Sequence, residues 1–409
     1  MELINYKNIS PKSIIYVKIY NNNPAIGIFR GDKYMTEEEQ INKAYKQTLN
    51  MPHSKARNEI LYSLVKRADI IKNHHLQKYL RWMYASELMR CGDQGKVFAV
   101  VAEYIALRGE EEEWCPPGGI DGIEYMADYC LEVLCYLPQI TLKQAEGIIK
   151  ILEKMLTYNR FGRRLYYQRL FRFYSVIDAN KALEYFYLFK NTRRDICSDC
   201  KACEQADMVR FFHRIGDITR ADELARPVFD GTLKCHDVPR NVWQVYLQRA
   251  LDYKDLKKAV PLAEALYRES DINDPTDLGY FGAVMRCFAF TSQQKAVKIL
   301  KRLLEGWEVL WDKERWFSFL TGAWTVCHEY AKHDTAIYIP ELTGKVPFWQ
   351  ENGIYNTREM EKWFYNQAVS VAESFDRRNG TDYYIKELER VVYGAGYKEG
   401  QHFWLIEKN

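Results

Sequence analysis

The middle of the chain decides the fold, because one short motif with a central alanine occurs there four times. The four copies are NKAL (180–183), TRAD (219–222), KKAV (257–260) and QKAV (294–297). Their alanines are 39, 38 and 37 positions apart. Each alanine lies near the start of a helical pattern, where a small side chain lets two helices approach closely. The repeating unit is therefore a helix, a tight turn and a second helix that carries the alanine.

A helical hairpin that recurs at this spacing is typical of tetratricopeptide arrays, whose standard unit is about 34 residues. The units here are longer, which indicates longer helices or looser joints. We predict an all-α fold, a tetratricopeptide-like α-α superhelix of helical hairpins. Because each unit packs on its neighbours alone, such an array can extend over 409 residues without one large core.

Three regions follow when the pattern is traced outward. Residues 36–334 form the helical repeat array, clearest over 165–310, and Thr36 and Glu39 have the spacing of a capping box at its start. Residues 335–409 form a C-terminal helical cap with an extended tail. Residues 1–35 differ, because two β-branched and aromatic runs, 13–20 and 25–29, flank Pro24. They predict a small N-terminal β-hairpin-like segment.

Composition excludes several classes of protein. The chain is 47% apolar and 28% charged, which is typical of a folded rather than a disordered protein. Its net charge is +3, so no strong attraction to nucleic acid or to an anionic membrane is expected. The most apolar stretch, 97–107, is too short to span a bilayer. The first residues lack a signal-peptide pattern, and ten cysteines without one indicate a reducing cytoplasm.

The sharpest local feature is a cysteine cluster. Cys200 and Cys203 have the spacing of metal ligands and precede one helical hairpin, and Cys235 follows it. An antiparallel pair of equal helices returns the chain to the end where it began, so these three thiols should lie close together. With a fourth ligand they would hold zinc in a tetrahedral shell, as a structural ion. His236 is our choice for that ligand, and Cys197 and His213 are the alternatives.

Two other interpretations of the cysteines were considered. Reduced thiols that are partly buried are common inside helical proteins, and they need no metal. A redox CxxC is disfavoured, because no thioredoxin-like βαβ pattern surrounds it. The sequence therefore leaves a structural zinc site and ordinary buried thiols as the two alternatives.

A family resemblance adds to this interpretation. The run Asp199–Cys203, together with Gly216, Ala225–Val228, Cys235 and Pro239, resembles a signature of uncharacterised bacterial tetratricopeptide-like proteins. A second piece, Phe375–Gly380, resembles another part of the same pattern. The likeness covers the chain from about residue 50 onward. It implies the helical-repeat fold and the association of Cys200, Cys203 and Cys235, but no activity, and it has no counterpart of Cys197.

No catalytic motif is evident. The sequence contains no HExxH, no GxSxG and no phosphate-binding GxxxxGK[ST], so we expect no enzyme. We predict a scaffold or adaptor that binds a protein or peptide in a groove lined by the first helix of each unit. Two alternatives are a peptide-sensing regulator and nucleic-acid binding through Arg160–Arg172, where arginines alternate with aromatic residues. The same composition on a helix also gives a charged face and a packed aromatic face, which makes nucleic acid the weaker alternative.

Overall fold

The computed structural model describes residues 35–91, 93–108, 122–157, 161–305, 312–340, 342, 346 and 348–393. These residues form 17 α-helices, one 3-10 turn and one two-stranded sheet, so the fold is almost entirely helical, as predicted. None of the helices in these ranges is long and apolar enough to cross a membrane. Apart from Met35, the predicted N-terminal hairpin lies outside the described residues, as does the predicted extended tail after Tyr393.

The helices of the first half are α1 (Glu37–Thr48), α2 (Lys55–Ile70), α3 (His74–Cys91), α4 (Lys96–Arg108), α5 (Ile123–Tyr136), α6 (Leu142–Thr157), α7 (Arg163–Tyr174) and α8 (Ala179–Asn191). Those of the second half are α9 (Lys201–Arg214), α10 (Ile218–Phe229), α11 (Arg240–Asp252), α12 (Leu256–Glu269), α13 (Leu278–Thr291), α14 (Gln293–Glu305), α15 (Lys313–Tyr330), α16 (Thr357–Asn379) and α17 (Tyr383–Tyr393). The strands are β1 (Ala336–Tyr338) and β2 (Ile354–Asn356).

Helix starts are set by local sequence. The capping box predicted at Thr36 is present, because the Thr36 hydroxyl accepts from the Glu39 N–H and the Glu39 carboxylate accepts from the Thr36 N–H. The second helices of three central pairs begin after an aspartate cap: Asp178, Asp217 and Asp255. Each cap lies four residues before a repeat alanine. An N-cap side chain that accepts backbone N–H bonds typically contributes about 1 kcal/mol.

The repeat alanines are buried where helices meet. Ala182, Ala221, Ala259 and Ala296 are each 0% exposed. Their helices pack against the preceding ones, in the pairs α7–α8, α9–α10, α11–α12 and α13–α14. The first helix of each pair also contacts the first helix of the next, so that α7, α9, α11, α13 and α15 form one continuous row.

The row is packed most closely at α13 and α15. A Cβ atom added to Gly282 would lie 2.2 Å from the carbonyl oxygen of Ser318, and one added to Gly322 would lie 2.5 Å from the carbonyl oxygen of Gly282. These two helices therefore touch backbone to backbone, and a side chain larger than hydrogen has no room at either position.

The segment after α15 contains the sheet. β1 pairs antiparallel with β2, with Ile337 opposite Tyr355 on the buried face. Tyr338 and Ile354 are opposite one another on the other face and are 56% and 49% exposed. β2 runs directly into α16, where Asn356 caps the helix start. At the far end, Gly380 has φ +69° and forms a left-handed C-cap.

The C-terminal helices lie against the row of first helices. Arg214 of α9 pairs with Glu314 of α15 at 3.3 Å, and Arg378 of α16 donates to the carbonyl oxygen of Leu134 in α5 at 2.7 Å. Arg390 of α17 lies 4.0 Å from Asp252 of α11. These contacts join α15, α16 and α17 to α9, α5 and α11. The groove expected along the first helices stays a prediction.

Candidate metal centre

Three cysteines meet at one end of the α9–α10 pair. Cys200 caps the start of α9, Cys203 lies in its first turn, and Cys235 lies in the loop after α10. Gly231, with φ +79°, takes the backbone conformation that glycine favours as the chain leaves α10. The Cys235 N–H then donates to the carbonyl oxygen of Val238 at 3.0 Å, which fixes the loop that returns this thiol.

The sulfur atoms are close enough to share one ion. The Sγ atoms of Cys200, Cys203 and Cys235 all lie within 4.8 Å of one another, and those of Cys203 and Cys235 are 3.5 Å apart. Two thiolates bound to one tetrahedral zinc, at Zn–S distances of about 2.3 Å, lie about 3.8 Å apart. The geometry therefore fits a thiolate metal site after small side-chain movements.

The electrostatics of the cluster favour one thiolate. The Cys203 thiol, then the Cys235 thiol and the N–H groups of Cys203 and Ala202 donate to the Cys200 sulfur, and they lower its pKa to about 2. The same thiolate raises the pKa values of the Cys203 and Cys235 thiols, with burial adding to the effect. The start of α9 contributes because its N–H groups stabilise a negative charge. Binding zinc would release the remaining thiol protons.

A small hydrophobic core packs against one side of the cysteine cluster. Cys203 and Cys235 pack against the buried residues of α9, α10 and the start of α11. These are Ala202, Ala206, Val209, Ala225, Val228, Val238 and Val242. Cys200 is exposed on the other side. One side of the candidate site is therefore fixed by packing, and the other side is open to an incoming ligand.

His236, the predicted fourth ligand, lies outside the group of three sulfurs. Its side chain is 77% exposed, and its Nδ1 atom lies 3.1 Å from an oxygen of Asp237 and 3.5 Å from Nη2 of Arg240. Its place next to Cys235 keeps it beside the cluster. The structure does not join it to the sulfurs, so its role as a ligand stays a prediction.

The two alternative ligands are placed elsewhere. Cys197 is 0% exposed and packs with Tyr125 and Leu165 in a separate apolar cluster. His213 lies ten residues after Cys203 on the same helix, and a helix rises about 1.5 Å per residue, so the two are about 15 Å apart. Burial, followed by the charges of nearby arginines, lowers the pKa of His213 to about 3. Neither residue belongs to the group of three sulfurs, and the choice of the fourth ligand stays a prediction.

Most of the described arginines in the segment Arg160–Arg172 form ion pairs. Arg164 contacts Glu204 at 2.8 Å, Arg169 contacts Asp128 at 2.6 Å, and both arginines are buried. Arg172 lies 3.5 Å from Asp207. Arg160 is outside the described residues. A guanidinium group that is paired with a carboxylate in a buried or partly buried position is less available to a phosphate, so these ion pairs weigh against a nucleic-acid surface at the three arginines.

Sequence reasoning missed the protein partners of these arginines. Arg169 also donates to Asp199, directly before Cys200, and Arg164 holds Glu204, directly after Cys203. The acidic residues on both sides of the CxxC motif could have indicated ion pairs, but the arginines that pair with them lie 30 and 40 positions away in the sequence. Buried ion pairs from α7 therefore position the start of α9, and with it two of the three thiols.

No protein-family model, curated protein or solved structure matches this chain. The chemistry of the site is accordingly argued from its own residues.

Proposed function

We propose that this chain is a non-catalytic interaction scaffold in which a structural zinc ion, held by Cys200, Cys203 and Cys235, staples the α9–α10 pair. The observation that carries the proposal is the thiol cluster, with three sulfurs within 4.8 Å at the junction of a helix start and a returning loop. Thiolates are the ligands that structural zinc prefers. His236 is the proposed fourth ligand, because it is exposed and adjoins Cys235.

The scaffold part of the proposal rests on the repeated pairs. An aspartate cap four residues before a buried alanine occurs at α8, α10 and α12, which supports a tetratricopeptide-like superhelix built from one recurring unit. Such units characteristically serve as supports for other molecules. The resemblance to bacterial tetratricopeptide-like proteins agrees with this proposal and adds no activity to it.

The partner in this proposal is a protein or peptide. The exposed side of the small sheet is the surface we select. Tyr338 and Ile354 form a cross-strand pair there, and Trp349, between the strands in sequence, is 43% exposed. Exposed aromatic and aliphatic side chains of this kind are the usual anchors of protein interfaces. An extended segment of a partner could also pair with an outer edge of the sheet.

Native mass spectrometry with elemental analysis tests the zinc site. Protein produced with zinc in the medium should carry one zinc ion per chain, and Cys203→Ser and Cys235→Ser should each lose it. Cys287→Ser is the matched control, since Cys287 is a buried thiol of α13 and should leave the zinc content unchanged. His236→Ala should retain zinc with at least tenfold weaker affinity if the imidazole is the fourth ligand.

The results separate the two parts of the proposal. Zinc-free wild-type protein, or Cys203→Ser that keeps its zinc, would reject the metal site. The same spectra, recorded on protein captured from its own host, test the scaffold function by detecting a bound polypeptide. A bound polypeptide that is lost in Tyr338→Thr/Ile354→Thr but kept in Cys287→Ser supports the sheet surface. Equal retention in both variants would exclude that surface.

Two alternative functions have less support. A peptide-sensing regulator requires a helical array that changes curvature when it binds a short signal, and the contacts of α15, α16 and α17 with α9, α5 and α11 oppose such a change. Nucleic-acid binding through Arg160–Arg172 loses the guanidinium groups of Arg164, Arg169 and Arg172 to carboxylates.

A further inference from the structure

A small cleft remains where the C-terminal helices meet the row of first helices. Its walls come from the end of α5, from α7 and α9, and from α15 and α17. Its charged and hydroxyl-bearing lining residues include Arg172, Arg210, Arg214, Asp207, Glu314 and Tyr384. The cleft lies at the opposite end of α9 from the thiol cluster, and no part of the metal proposal uses it.

Two of the three arginines in the cleft are balanced by carboxylates. The Nε atom of Arg172 lies 3.5 Å from Asp207, and the Nη2 atom of Arg214 lies 3.3 Å from Glu314. Arg210 makes no hydrogen bond and no ion pair with the part of the chain that the structure describes. The lining therefore carries one positive charge in excess, and that charge is presented by a partly buried guanidinium.

A second cation lies behind the cleft wall, and its hydrogen-bonding capacity is only partly used. Arg378 is 7% exposed, and its guanidinium carbon lies 5.3 Å from the centre of the Phe173 ring, which itself lines the cleft. Its bonds go to a backbone carbonyl and to the amide oxygen of Asn379, and within the described ranges no carboxylate lies at ion-pair distance, although Glu314 of the cleft acts on its charge from farther away. Its buried Nη2 atom has no hydrogen-bond partner there. A buried guanidinium with an unsatisfied donor is costly unless an acceptor approaches it.

We propose that this cleft binds an oxyanion group, a carboxylate or a phosphate, with Arg210 as the direct ligand and Arg378 as the charge behind it. The guanidinium group is suited to this task, because its fork of N–H donors matches the two oxygens of either anion. The narrow width of the cleft restricts the ligand to one such group at a time. The ligand is thus a small anion or one acidic group of a larger molecule.

Isothermal titration of the full chain with inorganic phosphate, and separately with acetate, tests the site. Ionic strength is held constant with sodium chloride, since general screening would otherwise imitate binding. The wild type should bind at least one of the two anions with one site per chain. The anion that binds more tightly shows whether the site takes a phosphate group or a carboxylate group. Arg210→Gln should weaken that binding at least tenfold, and it should fold normally because Arg210 makes no hydrogen bond and no ion pair within the described part of the chain.

The control is Arg268→Gln, which removes the same charge from a side chain that is 71% exposed on α12. It should bind the anion as the wild type does. Absence of saturable binding of both anions overturns the proposal, and so does equal binding by Arg210→Gln and the wild type. An equal loss in both variants would show a nonspecific effect of net charge and would also overturn it.

Discussion

Two helix contacts in this molecule are made in opposite ways. Helices α13 and α15 meet backbone to backbone at Gly282 and Gly322, where each Cβ position is filled by the other helix. The start of α9 is held by charged and sulfur-bearing side chains instead. Arg164 and Arg169 reach Glu204 and Asp199 on either side of the thiol cluster.

The difference predicts how each contact fails. A contact between bare backbones has no group that titrates or binds a ligand, so its stability responds to volume. A contact made by buried ions and thiols responds to charge, pH and metal. The three predictions below test this distinction, beginning with the largest expected effect.

Removing a buried cation should be the most damaging change at the start of α9. Arg169→Met keeps the length of the side chain but removes the guanidinium group that pairs with Asp128 and Asp199, and loss of one member of a buried pair costs about 3–5 kcal/mol. Urea unfolding at pH 7 measures the change. Lys295→Met, which breaks the exposed pair with Glu264, should cost less than about 1 kcal/mol. Equal losses of unfolding free energy in the two variants would contradict the idea that the start of α9 depends on its buried ion pairs.

A single methyl group should disturb the α13–α15 contact. In Gly282→Ala the new Cβ would start 2.2 Å from a carbonyl oxygen of α15, so the helices must separate. Overpacking of this kind costs about 1–3 kcal/mol, and a clash with backbone belongs at the upper end. Gly147→Ala in α6 is the control, because nothing lies within 4 Å of that position and alanine favours a helix by about 1 kcal/mol. Destabilisation by both variants would mean that crowding is not the cause.

The α9 region should also respond to pH through His213. Burial lowers the pKa of His213 to about 3, so the folded protein keeps the imidazole neutral while the unfolded chain, with a pKa near 6.5, takes up a proton. The contribution of the neutral imidazole to the free energy of unfolding is complete above about pH 6.5. It is lost as pH falls toward 3, by about 1.4 kcal/mol per pH unit.

The variant His213→Leu isolates this contribution. Its unfolding free energy should fall less steeply between pH 6 and pH 4 than that of the wild type, whereas His333→Leu, at an exposed position, should keep the wild-type slope. Parallel slopes for the wild type and His213→Leu would show that this histidine titrates normally in the folded protein.

Local features of the fold were predictable because local chemistry sets them. The spacing of Thr36 and Glu39 predicted a capping box, and the alanine repeat predicted where helices approach closely. The three thiols were also predictable, because an antiparallel helix pair brings its two ends together.

Contacts across the molecule were not predictable from the sequence. Arg214 and Glu314 are 100 positions apart, and Arg378 lies 244 positions from Leu134. No periodicity or spacing connects such residues, so the contacts of α15 and α16 with earlier helices left no local signal. The partners of the arginines on α7 were missed for the same reason of distance.

The bond between Arg378 and Leu134 has a consequence for biosynthesis. A ribosome adds roughly 5–20 residues per second, so the 244 residues between the two positions take roughly 12–50 s to make. During that interval the Leu134 carbonyl oxygen of α5 and the Phe173 ring of α7 lack the Arg378 guanidinium group that later contacts them. These groups then face water or a chaperone. A stalled or truncated chain would keep these groups exposed, and it should be a preferred substrate of the cell's quality-control proteases.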